Sequence, residues 1–285
     1  MKKTIEAFTV FLFLITPSLT AQTVDEILTQ YFEKTGGKDA WKDLNAMKMS
    51  GTSSIQGREF PITLYTKRPN YEKLEVEVQD KQIIEAYDGT TAWSVNPFQG
   101  ITSATKADDA LNNEAAKKSF EDELLDYAAK GHTVEKLEDH EIEGAQVFQM
   151  KLTKKSGDEQ IYFFDQENYV PVMIKSLANA GPMKGQTVET YLSDYKEVEN
   201  LIIPHSITQK INGQVLMQAT MNSIELNPEI TDDVFKFPAP VEIPAEKKMT
   251  EEVPVKRMET KPEKSMMEDQ PKTLEKRKSE NPVKN

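Results

Sequence analysis

Glu138-Asp139-His140-Glu141 sets three carboxylates around an imidazole, the residue types that acid–base catalysis and metal binding both use. Their spacing argues against either use. On an extended chain successive side chains point to opposite faces, so four consecutive residues splay apart and do not converge. Glu143-Gly144 follows, and the stretch reads as a solvated turn. His132 follows Gly131 and His205 follows Pro204, and neither has an acidic or cysteine partner at ligand spacing. The chain has no cysteine. Thiol nucleophiles, disulfides and Cys-ligated metals are thereby excluded, as is lipidation of this chain at a cleavage-site cysteine. No Gly-x-Ser-x-Gly, His-Glu-x-x-His or phosphate-loop pattern occurs. No catalytic residue, metal site or cofactor is expected, and the chain does not read as an enzyme.

Arg68 stands in a different setting. It belongs to Lys67-Arg68-Pro69-Asn70, where a strand meets a proline. Its planar fork of five donors can hold several backbone carbonyls of a loop or helical lid at once. Asp88-Gly89 follows, then Trp93 and Asn96-Pro97-Phe98. Asp-Gly between Ile83–Tyr87 and Thr91–Val95 is a hairpin signal, and Asn-Pro ends a strand. Trp93 and Phe98 are then placed to line the mouth of a cavity.

The elements that must position these residues are mostly strands. Thr23 is a candidate N-cap for a helix with Val24, Ile27, Leu28, Tyr31 and Phe32 on one face, stopped by Gly36-Gly37. A second short helix is expected over 38–45, carrying Trp41 and Leu44. From Met47 the period becomes two: Phe60, Ile62, Leu64 and Thr66 alternate with polar neighbours, as do Leu74, Val76 and Val78. Residues 106–130 lack β-branched side chains, and Phe120, Leu124, Leu125 and Ala128 share a helical face. One or two helices ending at Gly131 are expected there, an insertion suited to a lid. Alternation and turn signals then return as far as Leu226. The total is 11 to 13 strands joined by short turns, which predicts antiparallel pairing and an α+β fold.

The stretch from about Tyr65 to Asp108 resembles the periplasmic lipoprotein carrier LolA and the outer-membrane lipoprotein-sorting proteins related to it. Lys67-Arg68-Pro69-Asn70, Asp88-Gly89, Trp93 and Asn96-Pro97-Phe98 fall in the same order at similar spacing. Asn227-Pro228-Glu229-Ile230 with Phe235-Lys236-Phe237-Pro238 is similar to the closing strand and exit of that family. The sequence departs from the family at Glu72, where the family has a hydrophobic residue. The resemblance implies a half-open antiparallel β-barrel around an apolar cavity, with helices at the N-terminus and an inserted helical lid. It also implies that Arg68 bonds lid elements and keeps the cavity closed until cargo enters. Candidate lining residues are Leu64, Leu74, Val76, Trp93, Phe98, Phe120 and Leu124, with Phe163 and Ile174 beside them. A one-residue slip in register would put the opposite set inside. Implied partners are acylated lipoproteins or lipids, an inner-membrane release complex and an outer-membrane acceptor. The protein is expected to act as a monomer. The implied function is a carrier that binds acyl chains for sorting to the outer membrane. A lipid-sensing or scaffold module of the envelope that does not transport is the alternative.

Composition fits this address. Met1-Lys2-Lys3, an apolar run from Ala7 to Ile15 and a small-residue end at Ala21 read as a signal peptide, 1–21, cleaved near Ala21. Residues 22–240 form the carrier-like domain. Residues 241–285 contain no aromatic residue, five prolines and 11 Lys and Arg against 10 Asp and Glu, a composition that predicts a disordered charged tail. With those segments set aside the body has 22 basic and 36 acidic residues, a net charge of −14. So acidic a body repels phosphate backbones, and no nucleic-acid partner is expected.

Overall fold

The computed structural model of the protein describes residues 22–55 and 57–238. The expected signal peptide and the expected tail lie outside them. Helix α1 (Val24–Lys34) begins in a capping box: the Thr23 hydroxyl accepts from Glu26 N, and the Glu26 carboxylate accepts from Thr23 N at 2.8 Å. Gly36 ends it at φ +116°. A Cβ there would stand 2.1 Å from the Asn200 carbonyl oxygen, so no other residue fits. Helix α2 (Lys38–Asp43) is shorter than expected, and Leu44 is its C-cap.

All strands belong to one antiparallel sheet of 14. They are β1 (Ala46–Ile55), β2 (Arg58–Lys67), β3 (Tyr71–Val78), β4 (Lys81–Tyr87), β5 (Ala92–Asn96), β6 (Ile101–Lys106), β7 (Thr133–Lys136), β8 (His140–Ile142), β9 (Ala145–Thr153), β10 (Glu159–Asp165), β11 (Pro171–Leu177), β12 (Thr187–Val198), β13 (Leu201–Ile211) and β14 (Gln214–Leu226). The spatial order is 6-5-4-3-2-1-14-13-12-11-10-9-7, with β8 also on β9. Strand β1 pairs with β14, so the first and last strands meet in the middle, Met49 opposite Ile224. Strands β6 and β7 are the free ends, and the sheet is not closed. Two strands exceed the expectation: β6 follows a tight turn at Pro97–Gly100, and β8 occupies the polar stretch that read as a turn.

The inserted segment departs further. Only α3 (Asp109–Lys117) is helical, capped by the Asp108 side chain on Leu111 N. Lys118 turns extended and residues 119–131 run as successive turns. The helical spacing of Phe120, Leu124 and Leu125 is overridden there. Asp122 accepts Leu124 N on its own side chain, and Asp126 takes a positive φ of 49°.

The position of α3 shows how far the sheet curls. Asn112 accepts from Ala92 N on β5 at 2.7 Å. Lys117 reaches Asp158 in the β9–β10 turn at 3.5 Å, and Leu111 lies against Gly181 between β11 and β12. In a flat sheet β5 and β11 stand eight strand spacings apart, about 38 Å. A helix of nine residues is about 13 Å long. The sheet must therefore wrap round beneath α3 for one short helix to touch both sides.

The two faces are told apart by register. One carries Ile224, Met49, Leu64 and Leu74, each opposite the next. The ladder Met217, Gln209, Thr190, Ile174, Tyr162, Met150 continues that face to the other end of the sheet. There Ile27, Leu28, Tyr31 and Phe32 of α1 pack on Phe148, Met150, Leu152 and Phe164, with Leu124 and Leu125 between. This inner face holds the main core. A smaller core of Val147, Phe163 and Met173 lies on the outer face. Among the described residues no helix is long and apolar enough to cross a membrane.

Candidate functional site

The inner face of β1–β3, β13 and β14 is apolar and incompletely covered. Met49, Ile62, Ala219 and Met221 are buried, whereas Met47, Leu64, Leu74, Val76, Met217 and Ile224 around them are only half-buried. Alternation puts them there: Ile62, Leu64 and Thr66 face inward opposite Val76, Leu74 and Glu72. Methionine adds soft, adaptable surface to this wall.

Helix α3 lies over the adjoining strands and buries none of its own residues. Polar tethers hold it. Asn112 also donates to Thr90 O at 3.2 Å, Asn70 donates to Ala116 O at 3.4 Å, and Lys118 pairs with Glu72 at 2.6 Å. Between α3 and β3–β5 lies a cavity of about 270 Å³ whose walls include Tyr87, Ala92 and Leu111. A second cavity, about 420 Å³, lies between α1, the segment after α3 and β10–β13. Glu72 and Lys118 line both, so their ion pair stands on the partition. Glu72, the departure from the resembled family, is thus the residue that anchors Lys118 at the end of α3.

The wall of the second cavity is partly polar. Tyr31 donates to the Asp122 carboxylate at 2.7 Å, and Tyr195 donates to Pro171 O. Burial pushes the Asp122 carboxyl up, against the bonds from Tyr31 and Leu124 N, which favour its charge. Burial likewise raises the Tyr31, Tyr162 and Tyr195 hydroxyls, which stay protonated donors.

Arg68 stands behind the second cavity, against Phe120 and Glu121 of its wall. Its Nε donates to Leu44 O at 2.7 Å, Nη1 to Glu121 Oε1 at 2.8 Å, and Nη2 to the carbonyls of Trp41 and Lys42, each at 3.2 Å. The fork gathers the free carbonyls at the end of α2. Its Cζ stands 5.5 Å from the centre of the Phe120 ring. Glu121 also takes Lys130 at 2.7 Å. Burial alone would raise the Glu121 carboxyl, but bonds from Lys130 and Arg68 outweigh it and hold it low.

The structure brings some of the expected residues together and separates others. Leu64, Leu74 and Val76 share the inner wall. Phe120 packs beside Leu44, Leu201 and Ile203 and, with Ile174, lines the second cavity. Leu124 touches that cavity but is a core residue, 2% exposed beneath α1. Trp93 touches the cavity under α3, but its ring turns away from the inner wall. It is opposite Ala86, one residue out of step with the Ser94, Glu85, Leu74 ladder, and so lies on the outer face. Its indole donates to Phe235 O at 2.8 Å and meets Phe237 edge-on. Phe163 is on the outer face as well. Phe98 stands at a hairpin tip with Lys81 over its ring. The stretch Asn227–Pro238, expected to include a closing strand, forms a 3-10 turn at Asp232–Val234 that brings Phe235 and Phe237 over Tyr71 and Trp93 on the outer face. Sequence reasoning missed Asn112, Asp122 and Lys118. Only their place in a polar insert marked them. Among the described residues no group of three or more His, Asp and Glu is placed to hold a metal ion. His140 lies beside the Phe163 ring and His132 beside Glu123.

No family model matches the chain, and no curated protein matches it. Solved structures do. One is a protein domain from Vibrio parahaemolyticus assigned to outer membrane lipoprotein sorting, with 10% identity over 74% of this chain and 95% of that one and a TM-score of 0.48. Another is a LolA superfamily protein from Nitrosomonas europaea, with 12% identity over 76% of this chain and 98% of that one, also at 0.48. Both are likenesses of the chain's structure alone. At these identities and scores the similarity carries no function to this chain.

Proposed function

We propose that this protein is a periplasmic carrier that shields the acyl chains of lipoproteins or lipids during sorting to the outer membrane. The observation that carries the reading is the half-buried apolar wall of Met47, Leu64, Leu74, Val76, Met217 and Ile224, lying inside a curled sheet beside a helix that buries nothing. A soluble domain gains by covering such a wall, and each methylene buried there is worth about 0.8 kcal/mol. In this reading the sheet is a half-open barrel, α3 is its lid, and Arg68 fixes the closed end through α2 and Glu121. The polar tethers of α3 are broken and remade in water at small net cost, which suits cargo that must leave. The chain acts as a monomer without catalysis, crosses the inner membrane with cleavage near Ala21, and takes cargo from a release complex to an acceptor.

Titration of purified, delipidated protein with a fluorescent fatty acid and an acylated peptide tests this. Saturable binding that is lost in Leu74→Glu supports the carrier. If neither ligand binds at high micromolar concentration while the fold is intact, the reading falls.

A further inference from the structure

The turns of the sheet divide into two rims of different character. At one rim are Gly57 and the connections 79–80, 97–100, 154–158, 178–186 and 212–213; at the other are 68–70, 88–91, 143–144, 166–170 and 199–200. Among the described residues, the exposed large apolar side chains are Phe98, Leu111, Leu177, Val215 and Leu216, from 37% to 58% exposed. The four outside α3 belong to the first rim. Phe98 is in the β5–β6 turn, Leu177 ends β11, Val215 and Leu216 begin β14, and Leu111 of α3 leans on Gly181 in the β11–β12 connection. Leu177 on β11 and the Val215–Leu216 pair on β14 stand at the same edge of the sheet, with β12 and β13 between them.

Charge divides the same way. The first rim's connections carry Lys154, Lys155 and Lys184 against Asp80 and Asp158. The second rim's carry Arg68 against Asp88, Glu143, Glu167 and Glu199. Counted over these connections, the rim that exposes apolar side chains has two acids and the other rim has four. Lys81 stands 5.5 Å from the Phe98 ring centre, a cation beside an exposed aromatic. Apolar tips flanked by lysines suit a surface that is apolar beneath and carries phosphate above.

We infer that this rim docks on the surface of a phospholipid bilayer, with Phe98, Leu177, Val215 and Leu216 entering the interface and Lys81, Lys155 and Lys184 meeting phosphates. The acidic rim then points away, beyond the screening length of about 8 Å at physiological salt. A partner protein would ask for shape and a ring of specific polar contacts. These tips, four side chains spread over three hairpins, offer depth without such a pattern. The inference goes beyond the carrier reading and does not need a ligand in the cavity.

Flotation of residues 22–285 with vesicles of phosphatidylcholine, alone and mixed with phosphatidylglycerol, tests it. The unaltered chain is expected to float with both, at least as strongly with the anionic mixture. Leu177→Ser with Val215→Ser is expected to weaken partition by about tenfold or more. Both side chains are exposed at strand ends, and an unchanged melting curve will show that the variant folds. Absence of flotation, equal flotation of the variant, or weaker flotation on anionic vesicles would each overturn the inference, as would cross-linking from position 177 to protein and not to lipid. Acyl-ligand binding in solution is read on the same samples, so failure of docking and failure of the carrier reading are separable.

Discussion

Replacing Arg68 by leucine removes four donated bonds at once: two short ones to Leu44 O and Glu121, and two longer ones to the carbonyls of Trp41 and Lys42. A hydrogen bond involving a charged group is worth roughly 1.5–3 kcal/mol. The Arg68 side chain is 28% exposed, so water replaces part of what is lost, and Glu121 keeps Lys130 at 2.7 Å. The two short bonds then set the scale, and the expected cost is about 3 kcal/mol. In a domain of this size 1 kcal/mol moves Tm by about 2–4 °C, so the melting point should fall by about 6–12 °C. Arg68→Lys keeps a cation for Glu121 but cannot present the fork, and should recover less than half. Acidity supplies an independent check. The folded Glu121 carboxyl is held below its ordinary range, so its contribution is present above the unfolded value and is lost as pH falls through the folded one. The gap between wild type and Arg68→Leu should therefore narrow from neutral to acid pH. Thermal melts from pH 7 to pH 3 measure both. A drop under about 2 °C, or a gap that does not change with pH, would show that Arg68 is not holding α2 and Glu121.

Hydrogen exchange should find α3 opening more readily than β14, because polar tethers and no buried side chain hold it; equal, slow exchange in both would remove it as a lid. Asp122 should act on stability in the direction opposite to Glu121. Its raised folded value means that its contribution is full below the unfolded pKa and lost as pH rises through the folded one, so wild type should gain on Asp122→Asn as pH falls from 7 toward 4 in urea melts. Gly51→Ala would set a Cβ 2.0 Å from the Thr220 carbonyl oxygen at the β1–β14 irregularity, and should destabilise by about 3 kcal/mol; a neutral result would mean that the first and last strands are not paired there.

The parts of this architecture that obey one local rule were legible in the sequence. The α1 cap could be read from Thr23 and the inward set Ile62, Leu64, Leu74 and Val76 from strict alternation, because each rests on neighbours within a few residues. Arg68 could be read as a residue that gathers carbonyls, but not that α2 supplies most of them, since that depends on packing between segments some 25 residues apart. The outward turn of the Trp93 ring was not legible for a similar reason: its parity passes through two turns before it meets Leu74, and the aromatics that cover it arrive from Phe235 and Phe237. The insertion misled through its own spacing. Phe120, Leu124 and Leu125 fit a helical face, yet the side chain of Asp122 captured the backbone and Tyr31 captured Asp122. Local propensity lost there to a buried polar contact 91 residues away in sequence.

The central claim is that acyl chains lie on the inner wall. Photolabelling with a fatty acid that carries a diazirine along its chain, followed by mass spectrometry of the peptides, reads that position directly. Labels are predicted on β1, β2, β3 and β14, at or beside Met49, Leu64, Leu74, Val76 and Met217, and should vanish when unlabelled fatty acid competes. Labels confined to the outer face around Trp93 and Phe235, or none that competitor removes, would contradict the account.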